Sequence, residues 1–279
     1  MIDKWSDGVA DENMAEDILT DLAGLIRRHP WWHARSHLVL TLLRRLGVRP
    51  PARVLDAGCG WGVTLEALER NGYKVTGADI SRRALERLDR PDRRLVEADL
   101  TQPPPPSELF DAVLALDVIE HVDDDRAAVT HLGSLTRPGG VVVVSVPALP
   151  DMYTEFDSIQ GHRRRYLPET LRAAFDGSGL EIERVFWWGR WLVPMLRRQR
   201  HRKLAAAGES AAQAYRKYLR LPPWPAPLVF RLAFAIEQDR ALACRLETGT
   251  SLYAVARRPA APAGTARTKR TWYRPRKPR

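Results

Sequence analysis

The chain has few cysteines and no long apolar run. Its only two cysteines, Cys59 and Cys244, are far apart, and Cys59 lies inside a glycine-rich segment. A structural disulfide is therefore not expected, and a reducing cytoplasm is the predicted location. No apolar run approaches the roughly eighteen residues that a membrane-spanning helix requires. The opening residues are polar and acidic, so a secretory signal peptide is not expected.

Acidic residues are also scarce in two segments, although the rest of the chain is acidic. The formal net charge is +10, but residues 190–220 contain nine Arg or Lys and one acid, and residues 257–279 contain nine and none. Because residues 221–256 are balanced, residues 1–189 carry a net negative charge. This distribution argues against a main domain whose surface is built to hold nucleic acid.

Three alternating glycines follow a short apolar run that ends in an acid. Asp56 is followed by Gly58, Gly60 and Gly62, and a helical pattern over 63–70 comes next. The segment predicts a strand, a tight turn and a helix, in which glycine lets the backbone adopt positive φ and approach a ligand closely. The Gly-x-Gly-x-Gly spacing differs from the Gly-x-Gly-x-x-Gly of dinucleotide sites, which argues against a nicotinamide oxidoreductase.

Further predicted strands also end in acids. The strand over 73–81 contains Asp79, and the strand over 95–100 contains Asp99. Carboxylates at such tips can accept hydrogen bonds, from ribose hydroxyls at Asp79 and from an adenine amino group at Asp99. Apolar strands that alternate with helical stretches predict a parallel sheet covered on both faces. Ligands of such sheets bind beyond the carboxyl ends of the strands.

The whole pattern predicts an α/β fold. We expect a doubly wound, mostly parallel seven-stranded sheet with helices on both faces, an antiparallel last strand and a helical insert before that strand. The remaining predicted strands cover 110–117, 139–147, 181–187 and 251–256.

Four segments are predicted along the chain. Residues 1–29 form an N-terminal arm, and residues 30–256 form the main domain, with the helical insert at about 190–248. Residues 257–279 form a basic tail whose composition predicts disorder.

Together these motifs resemble the class I S-adenosylmethionine-dependent methyltransferases. The resemblance covers residues 31–185 and the last strand, and it rests on the segment 54–62, Asp79, the segment 97–100 and the segment 117–122. It implies an enzyme that uses S-adenosyl-L-methionine as its cofactor. It also implies the residues that frame this cofactor: Arg35, Asp56, Gly58, Cys59, Gly60, Asp79, Ile80, Asp99, Leu100 and Leu116.

Methyl transfer from a sulfonium is an in-line displacement, so the protein mainly aligns acceptor and methyl group, which can supply about 7–11 kcal/mol. A hydroxyl acceptor also needs a base. His121 and His162, the latter with Asp157, are the candidate catalytic residues. The alternative is structural: His121 caps a helix, and His162 and Arg165 pin a loop.

The spacing of Asp117, Glu120 and His121 is similar to a Glu-x-x-Glu-His segment of ubiquinone-pathway O-methyltransferases, which is associated with a divalent cation. These side chains could supply oxygen and nitrogen ligands. We favour the interpretation in which Glu120 and His121 shape the pocket, and no metal is predicted.

The predicted acceptor is a small or lipid-like organic molecule that is methylated at oxygen. Tyr153, Phe156 and Tyr166 are candidates for an aromatic acceptor pocket or for ordinary core. One alternative is an RNA or DNA methyltransferase that uses the basic insert and tail, although nucleic acid is not the expected partner. Another is a non-catalytic module that binds S-adenosylmethionine.

Peripheral membrane contact is a further expectation, through the aromatic and basic segment 186–203. Aromatic residues beside basic ones suit a headgroup interface, although they are also typical of a buried strand end. A lid over a bulky acceptor is the other use considered for this segment. The apolar side chains concerned are Phe186, Trp187, Trp188, Trp191 and Leu192.

Overall fold

The structure is a computed structural model, and most of the predicted tail and part of the predicted arm lie outside the residues that it describes. Residues 200–207, which contain part of the basic run, also lie outside them. The described residues are 2–6, 18, 21–105, 108–199, 208–220 and 224–260.

One eight-stranded sheet runs through the described part of the chain. Its spatial order is β1-β4-β3-β2-β5-β6-β8-β7; all neighbours are parallel except β8, which is antiparallel to both β6 and β7. The strands are β1 (Ile2–Lys4), β2 (Arg53–Ala57), β3 (Lys74–Asp79), β4 (Arg94–Glu97), β5 (Phe110–Leu116), β6 (Thr136–Pro147), β7 (Glu181–Trp188) and β8 (Ser251–Arg257).

The predicted fold class is confirmed, with one strand more than the seven expected. The additional strand, β1, lies in the predicted N-terminal arm and pairs with β4 at the edge of the sheet, with Ile2 opposite Leu95. Three residues are too few to show the alternation that identifies a strand from sequence. The order in which successive strands are added to the sheet changes direction at β2. From β2 the chain adds β3 and β4 on one side, and then β5 and β6 on the other. In open α/β sheets, such a reversal marks the ligand crevice.

Helices cover both faces of the sheet. One face buries Leu132 and Leu171 against the strands, and the other buries Leu38, Leu42 and Phe234. The helices are α1 (Ala23–Ile26), α2 (Pro30–Arg45), α3 (Val63–Arg70), α4 (Arg82–Leu88), α5 (Asp125–Leu135), α6 (Glu155–Ile159), α7 (Pro168–Ala173), α8 (Val193–Gln199), α9 (Ala211–Leu219) and α10 (Ala226–Leu242).

A separate apolar cluster joins the N-terminal segment to the insert, and we call it the roof. It consists of α1, residues 18 and 22, Trp32, and α9. Each contributing segment buries apolar side chains that the main sheet does not cover, so the two distant parts of the chain stabilise each other. The buried members are Ile18, Leu22, Ile26, Trp32, Ala212, Tyr215 and Leu219.

The aromatic residues proposed for membrane contact belong to the core. Phe186, Trp188 and Leu192 are buried, and Trp188 stacks on Phe234 of α10 with ring centroids 4.8 Å apart. Trp191 is partly buried and packs edge-on against the same Phe234. Phe186, Trp188 and Leu192 are therefore covered by the protein's own core, and membrane contact through the rest of the segment 186–203 stays a prediction. Among the helices described, none is both long enough and apolar enough to cross a bilayer.

Candidate functional site

A cavity of about 730 Å³ lies beyond the carboxyl ends of the central strands. Its lining combines strand ends, the glycine turn, α2, the loop after β5 and the roof. Of the ten residues predicted to frame the cofactor, nine line this cavity; Asp56 does not. Those nine are Arg35, Gly58, Cys59, Gly60, Asp79, Ile80, Asp99, Leu100 and Leu116.

The glycine turn brings bare backbone to the cavity wall. Gly58 has φ +75°, and a Cβ at this position would lie 2.4 Å from Cγ2 of Val118, so a side chain here would be strained and would have to displace Val118. Gly60 has φ +47°, and a Cβ there would meet no protein atom within 4 Å. Because Gly60 also lines the cavity, its backbone borders open space in which a ligand can approach it closely.

Asp79 joins the glycine turn to the end of β3. One carboxylate oxygen accepts a hydrogen bond from the backbone N–H of Gly60 at 2.7 Å, and the other accepts from that of Ser81 at 2.9 Å. The carboxylate lines the cavity and is mostly buried. An acceptor-only group in this position matches the hydroxyl donors of a ribose.

The other two predicted acids are placed differently. Asp99 lines the cavity, but its carboxylate already accepts hydrogen bonds from Thr101 and Gln102. Asp56 is buried behind the turn, outside the lining. Burial raises the pKa of Asp56 to about 7; Arg35 opposes this shift and Asp79 adds to it. The position of Asp56 therefore favours a structural role rather than the predicted cofactor contact.

Arg35 reaches from α2 to the end of β5. Its Nη1 lies 2.5 Å from Oδ2 of Asp117, and its guanidinium carbon lies 5.0 Å from the ring centroid of Trp31. Asp117 has φ 58°, a left-handed conformation that is uncommon for a residue other than glycine. A guanidinium carries five N–H donors, so Arg35 can bind a ligand carboxylate while it pairs with Asp117.

His162 is oriented by Asp157. Its Nδ1 lies 2.9 Å from Oδ1 of Asp157, which also accepts from Nε of Arg165 at 2.8 Å. Burial alone would raise the pKa of Asp157, but the His162 hydrogen bond and the Arg165 charge outweigh burial and lower it. An ionised Asp157 favours a proton on Nδ1 of His162, which leaves Nε2 as the acceptor. His162 lines the cavity, whereas Asp157 is fully buried and does not.

Glu120 and His121 complete a compact cluster with His162. Glu120 is fully buried, and neither carboxylate oxygen has a hydrogen-bond partner among the residues that the structure describes. Burial, reinforced by the charge of Asp117, raises the pKa of Glu120 well above its usual range. Its Oε1 lies 4.0 Å from Nε2 of His162. The rings of His121 and His162 meet edge to face, with centroids 4.8 Å apart.

The same cluster could coordinate a divalent cation. One ligand atom from each of Glu120, His121 and His162 lies within 4.8 Å of the others. This set differs from the predicted one, because Asp117 is paired with Arg35 and His162 stands near Glu120 instead. Mixed oxygen and nitrogen donors suit several divalent metals.

The roof supplies an aromatic wall that sequence reasoning missed. Tyr215 and Tyr218 of α9 line the cavity and stack with Phe156, with centroids 4.9 and 3.7 Å apart. Of the three aromatic residues considered from the sequence, only Phe156 lines the cavity. Tyr166 is buried in the core and donates to Asp125, whereas Tyr153 is exposed and donates to the His162 carbonyl.

Comparison with known proteins identifies the family. A family model described as a methyltransferase domain matches residues 31–185. The chain therefore belongs to the methyltransferase domain family, and the predicted resemblance is confirmed.

Curated relatives include ubiquinone biosynthesis O-methyltransferases. The one from Alkalilimnicola ehrlichii is 36% identical over 109 residues, which cover 36% of this chain and 43% of the relative. The one from Xanthomonas campestris is 33% identical over 151 residues, which cover 48% of this chain and 62% of the relative. The chain thus spans about half the length of the curated relatives it matches.

A solved structure shares the fold at low sequence identity. The [4+2]-cyclase SpnF is 20% identical, with a TM-score of 0.57, and the alignment covers 88% of this chain and 94% of the cyclase. This similarity supports the fold alone. Because a protein named as a cyclase has the same fold, the fold does not define the reaction, which depends on the residues of the site.

Proposed function

We propose that the protein is an S-adenosylmethionine-dependent methyltransferase that methylates an oxygen atom of a small or lipid-like organic acceptor. The observation that carries this proposal is one cavity that contains the glycine turn, Asp79 and the imidazole of His162. The first two features suit a nucleoside and the third suits a hydroxyl. Because all three features line the same cavity, they support methyl transfer from a bound nucleoside cofactor to a hydroxyl acceptor.

The cofactor is S-adenosyl-L-methionine, which supplies a methyl group activated by a positively charged sulfur. Asp79 holds the ribose hydroxyls, and Arg35 holds the methionine carboxylate. Ile80, Leu100 and Leu116 provide apolar surface beside the glycine turn. The open space next to Gly60 is the observation that fits a ligand against bare backbone.

His162 is the general base. With the cofactor bound, Nε2 would take the hydroxyl proton as the acceptor oxygen bonds to the methyl carbon and the bond from that carbon to the cofactor sulfur breaks, and Asp157 would stabilise the resulting imidazolium. Arg165 keeps Asp157 ionised and is therefore a positioning residue. The raised pKa of Glu120 favours its neutral form, which reduces like-charge repulsion when a nearby hydroxyl loses its proton.

Two observations favour an organic acceptor over nucleic acid. The stack of Phe156, Tyr215 and Tyr218 offers flat apolar surface to the cavity. Residues 1–189, which contain the strand ends and the catalytic cluster, carry a net negative charge that disfavours a phosphate backbone. The curated relatives named as ubiquinone biosynthesis O-methyltransferases support both oxygen and a lipid-like acceptor.

The test is transfer of a labelled methyl group. Purified protein is incubated with S-adenosylmethionine labelled in its methyl group and with cell extract separated into aqueous, lipid and nucleic-acid fractions. Label in a small-molecule or lipid product, as a methyl ether or ester, is the expected result. Label in nucleic acid would overturn the proposed acceptor, and cofactor binding without transfer to any fraction would indicate a non-catalytic module.

Repeating the assay with the chelator EDTA tests whether the cluster of Glu120, His121 and His162 binds a cation that activity requires. If His162 acts as a base without a cation, activity survives treatment with EDTA. Loss of activity that added Mg²⁺ or Zn²⁺ restores would instead assign the cluster a coordination role and overturn His162 as the base.

A further inference from the structure

One face of α10 exposes a row of large apolar side chains, which we call the α10 stripe: Leu228, Val229, Leu232 and Ile236. Spacings of three and four residues place them on one side of the helix. Leu232 is 54% exposed and Ile236 is 72% exposed, and Trp224, just before the helix, is 76% exposed. For side chains of this size, such exposure is a cost unless another surface covers them.

The stripe is not the face through which α10 packs on the protein. Phe234 and Ala241 are buried on the opposite side, against the core of the sheet. The helix is therefore apolar on two opposite faces, and one of them faces away from the core. An apolar patch that the protein itself leaves uncovered is typical of a surface that meets a partner or a membrane.

The exposed charges of α10 are mainly positive once its ion pair is counted. Arg231 and Arg240 are exposed on the helix, and the exposed Asp239 on the stripe side is paired with Arg45 at 2.8 Å. Trp191 ties the segment before α8 to α10, with its ring 4.7 Å from that of Phe230.

The positive charge beside the stripe favours a lipid surface over a second copy of the chain. A second copy of the chain would bring Arg231 and Arg240 near its own, and the resulting like-charge repulsion opposes self-association there. An anionic lipid surface offers the opposite charge together with an apolar layer for the stripe.

We propose that the α10 stripe inserts into the interface of a bilayer that contains anionic lipids, with the flanking arginines on the headgroups. The same helix continues into the functional site, since Phe230 lines the cavity together with Met195 and Leu196 of α8. A lipid-like acceptor could therefore enter the cavity beside the bilayer; this last step rests on the proposed function, whereas the binding surface does not.

The test is vesicle sedimentation with the full-length protein and without cofactor. Vesicles of equal parts phosphatidylglycerol and phosphatidylcholine are compared with vesicles of phosphatidylcholine alone. We expect binding to the anionic vesicles that weakens as salt is raised. The double variant Leu232→Glu with Ile236→Glu should bind at least tenfold more weakly. Leu109→Glu, at an exposed leucine outside the insert, is the matched control and should bind like the wild type.

Three outcomes would overturn the proposal. The first is no binding to anionic vesicles at low salt, and the second is equal binding by the double variant and the wild type. The third is a wild-type dimer in sedimentation that the double variant does not form. Calorimetry with S-adenosylmethionine separates these outcomes from a failure of the proposed function. The double variant should retain the cofactor affinity of the wild type, because its substitutions lie on the side of α10 opposite the core.

Discussion

The two sides of the cavity are built in different ways. The cofactor side consists of the ends of β2 to β5, where Gly60 and Asp79 are held by strands that pair directly with one another. The acceptor side consists of the His162 cluster and the roof, whose residues come from segments far apart in the sequence. The cofactor side is thus determined by local motifs and the sheet, whereas the acceptor side depends on packing between distant segments.

This difference has an energetic consequence. The cofactor side rests on two large apolar clusters that lie on either face of the sheet, whereas the roof has one cluster with seven buried members. Elements with fewer buried apolar contacts open at lower free energy than the core. The roof is therefore the part expected to open when ligands enter and leave.

The largest expected effect separates chemistry from cofactor binding. Replacing His162 with Gln removes the proposed base, so kcat should fall by about 10²–10⁴-fold. The affinity for S-adenosylmethionine should stay unchanged, because His162 belongs to the acceptor side. His37→Gln, at an exposed histidine of α2, is the control. A variant that retains most of its kcat would remove His162 from proton transfer.

A matched pair of leucines tests whether the roof is a separate unit. Leu114→Ala in β5 should lower the free energy of global unfolding by about 2–5 kcal/mol, because it leaves a void in the main core. Leu22→Ala, at an equally buried roof residue, should mainly accelerate amide exchange in α9 and reduce global stability less. Equal global losses in denaturant titrations would show that roof and sheet unfold together.

The pH dependence of stability offers a further test at His29, which caps α2 and lines the cavity below the roof. Burial lowers the pKa of His29 from 6.5 to about 4. Between these values the unfolded chain binds a proton that the folded chain does not, so the free energy of unfolding falls as pH falls. The loss from this residue is up to about 3 kcal/mol.

His29→Asn keeps a capping side chain and removes this titration. Relative to the variant, the wild type should therefore lose stability between pH 6.5 and 4 in denaturant titrations. The comparison has to be made between the two proteins, because Asp56, with its pKa raised to about 7, contributes a slope of opposite sign. A constant difference across the window would contradict a neutral buried His29.

The smallest expected effect is on the cofactor side. Asp79→Ala should weaken the affinity for S-adenosylmethionine at least tenfold, or about 1.4 kcal/mol, with the loss of the proposed ribose contacts. Calorimetry measures the affinity, and Asp176→Ala, at an exposed acid remote from the cavity, is the control. Unchanged affinity in the Asp79 variant would mean that the ribose lies elsewhere.

Much of the cofactor side could be predicted from the sequence because its signals are local. The spacing of Gly58 and Gly60 predicts a turn, and Asp79 comes at the end of an apolar strand. Both features occur as predicted, on neighbouring strand ends. Asp56 shows the limit of this reasoning, since a strand-end acid can equally be buried behind the turn, where the sequence pattern looks the same.

The acceptor side was harder to predict. The helix that carries Tyr215 and Tyr218 lies within the predicted helical insert, but the sequence pattern does not say which surface this helix covers. The aromatic and basic pattern around Trp188 suggested exposure, yet α10 buries it, and the exposed apolar residues lie on α10 instead. Periodicity predicts which side of a helix is apolar, but it does not predict which neighbouring element packs against that side.

The sequence by itself determined the fold class, the glycine turn and the acids that follow the strands. These depend on backbone conformation and on contacts within a few residues. Only the tertiary structure decided that His162 meets Glu120, that α9 closes the cavity, and that one face of α10 remains exposed. Those contacts join residues far apart in the chain, so they depend on how the elements pack rather than on any local pattern.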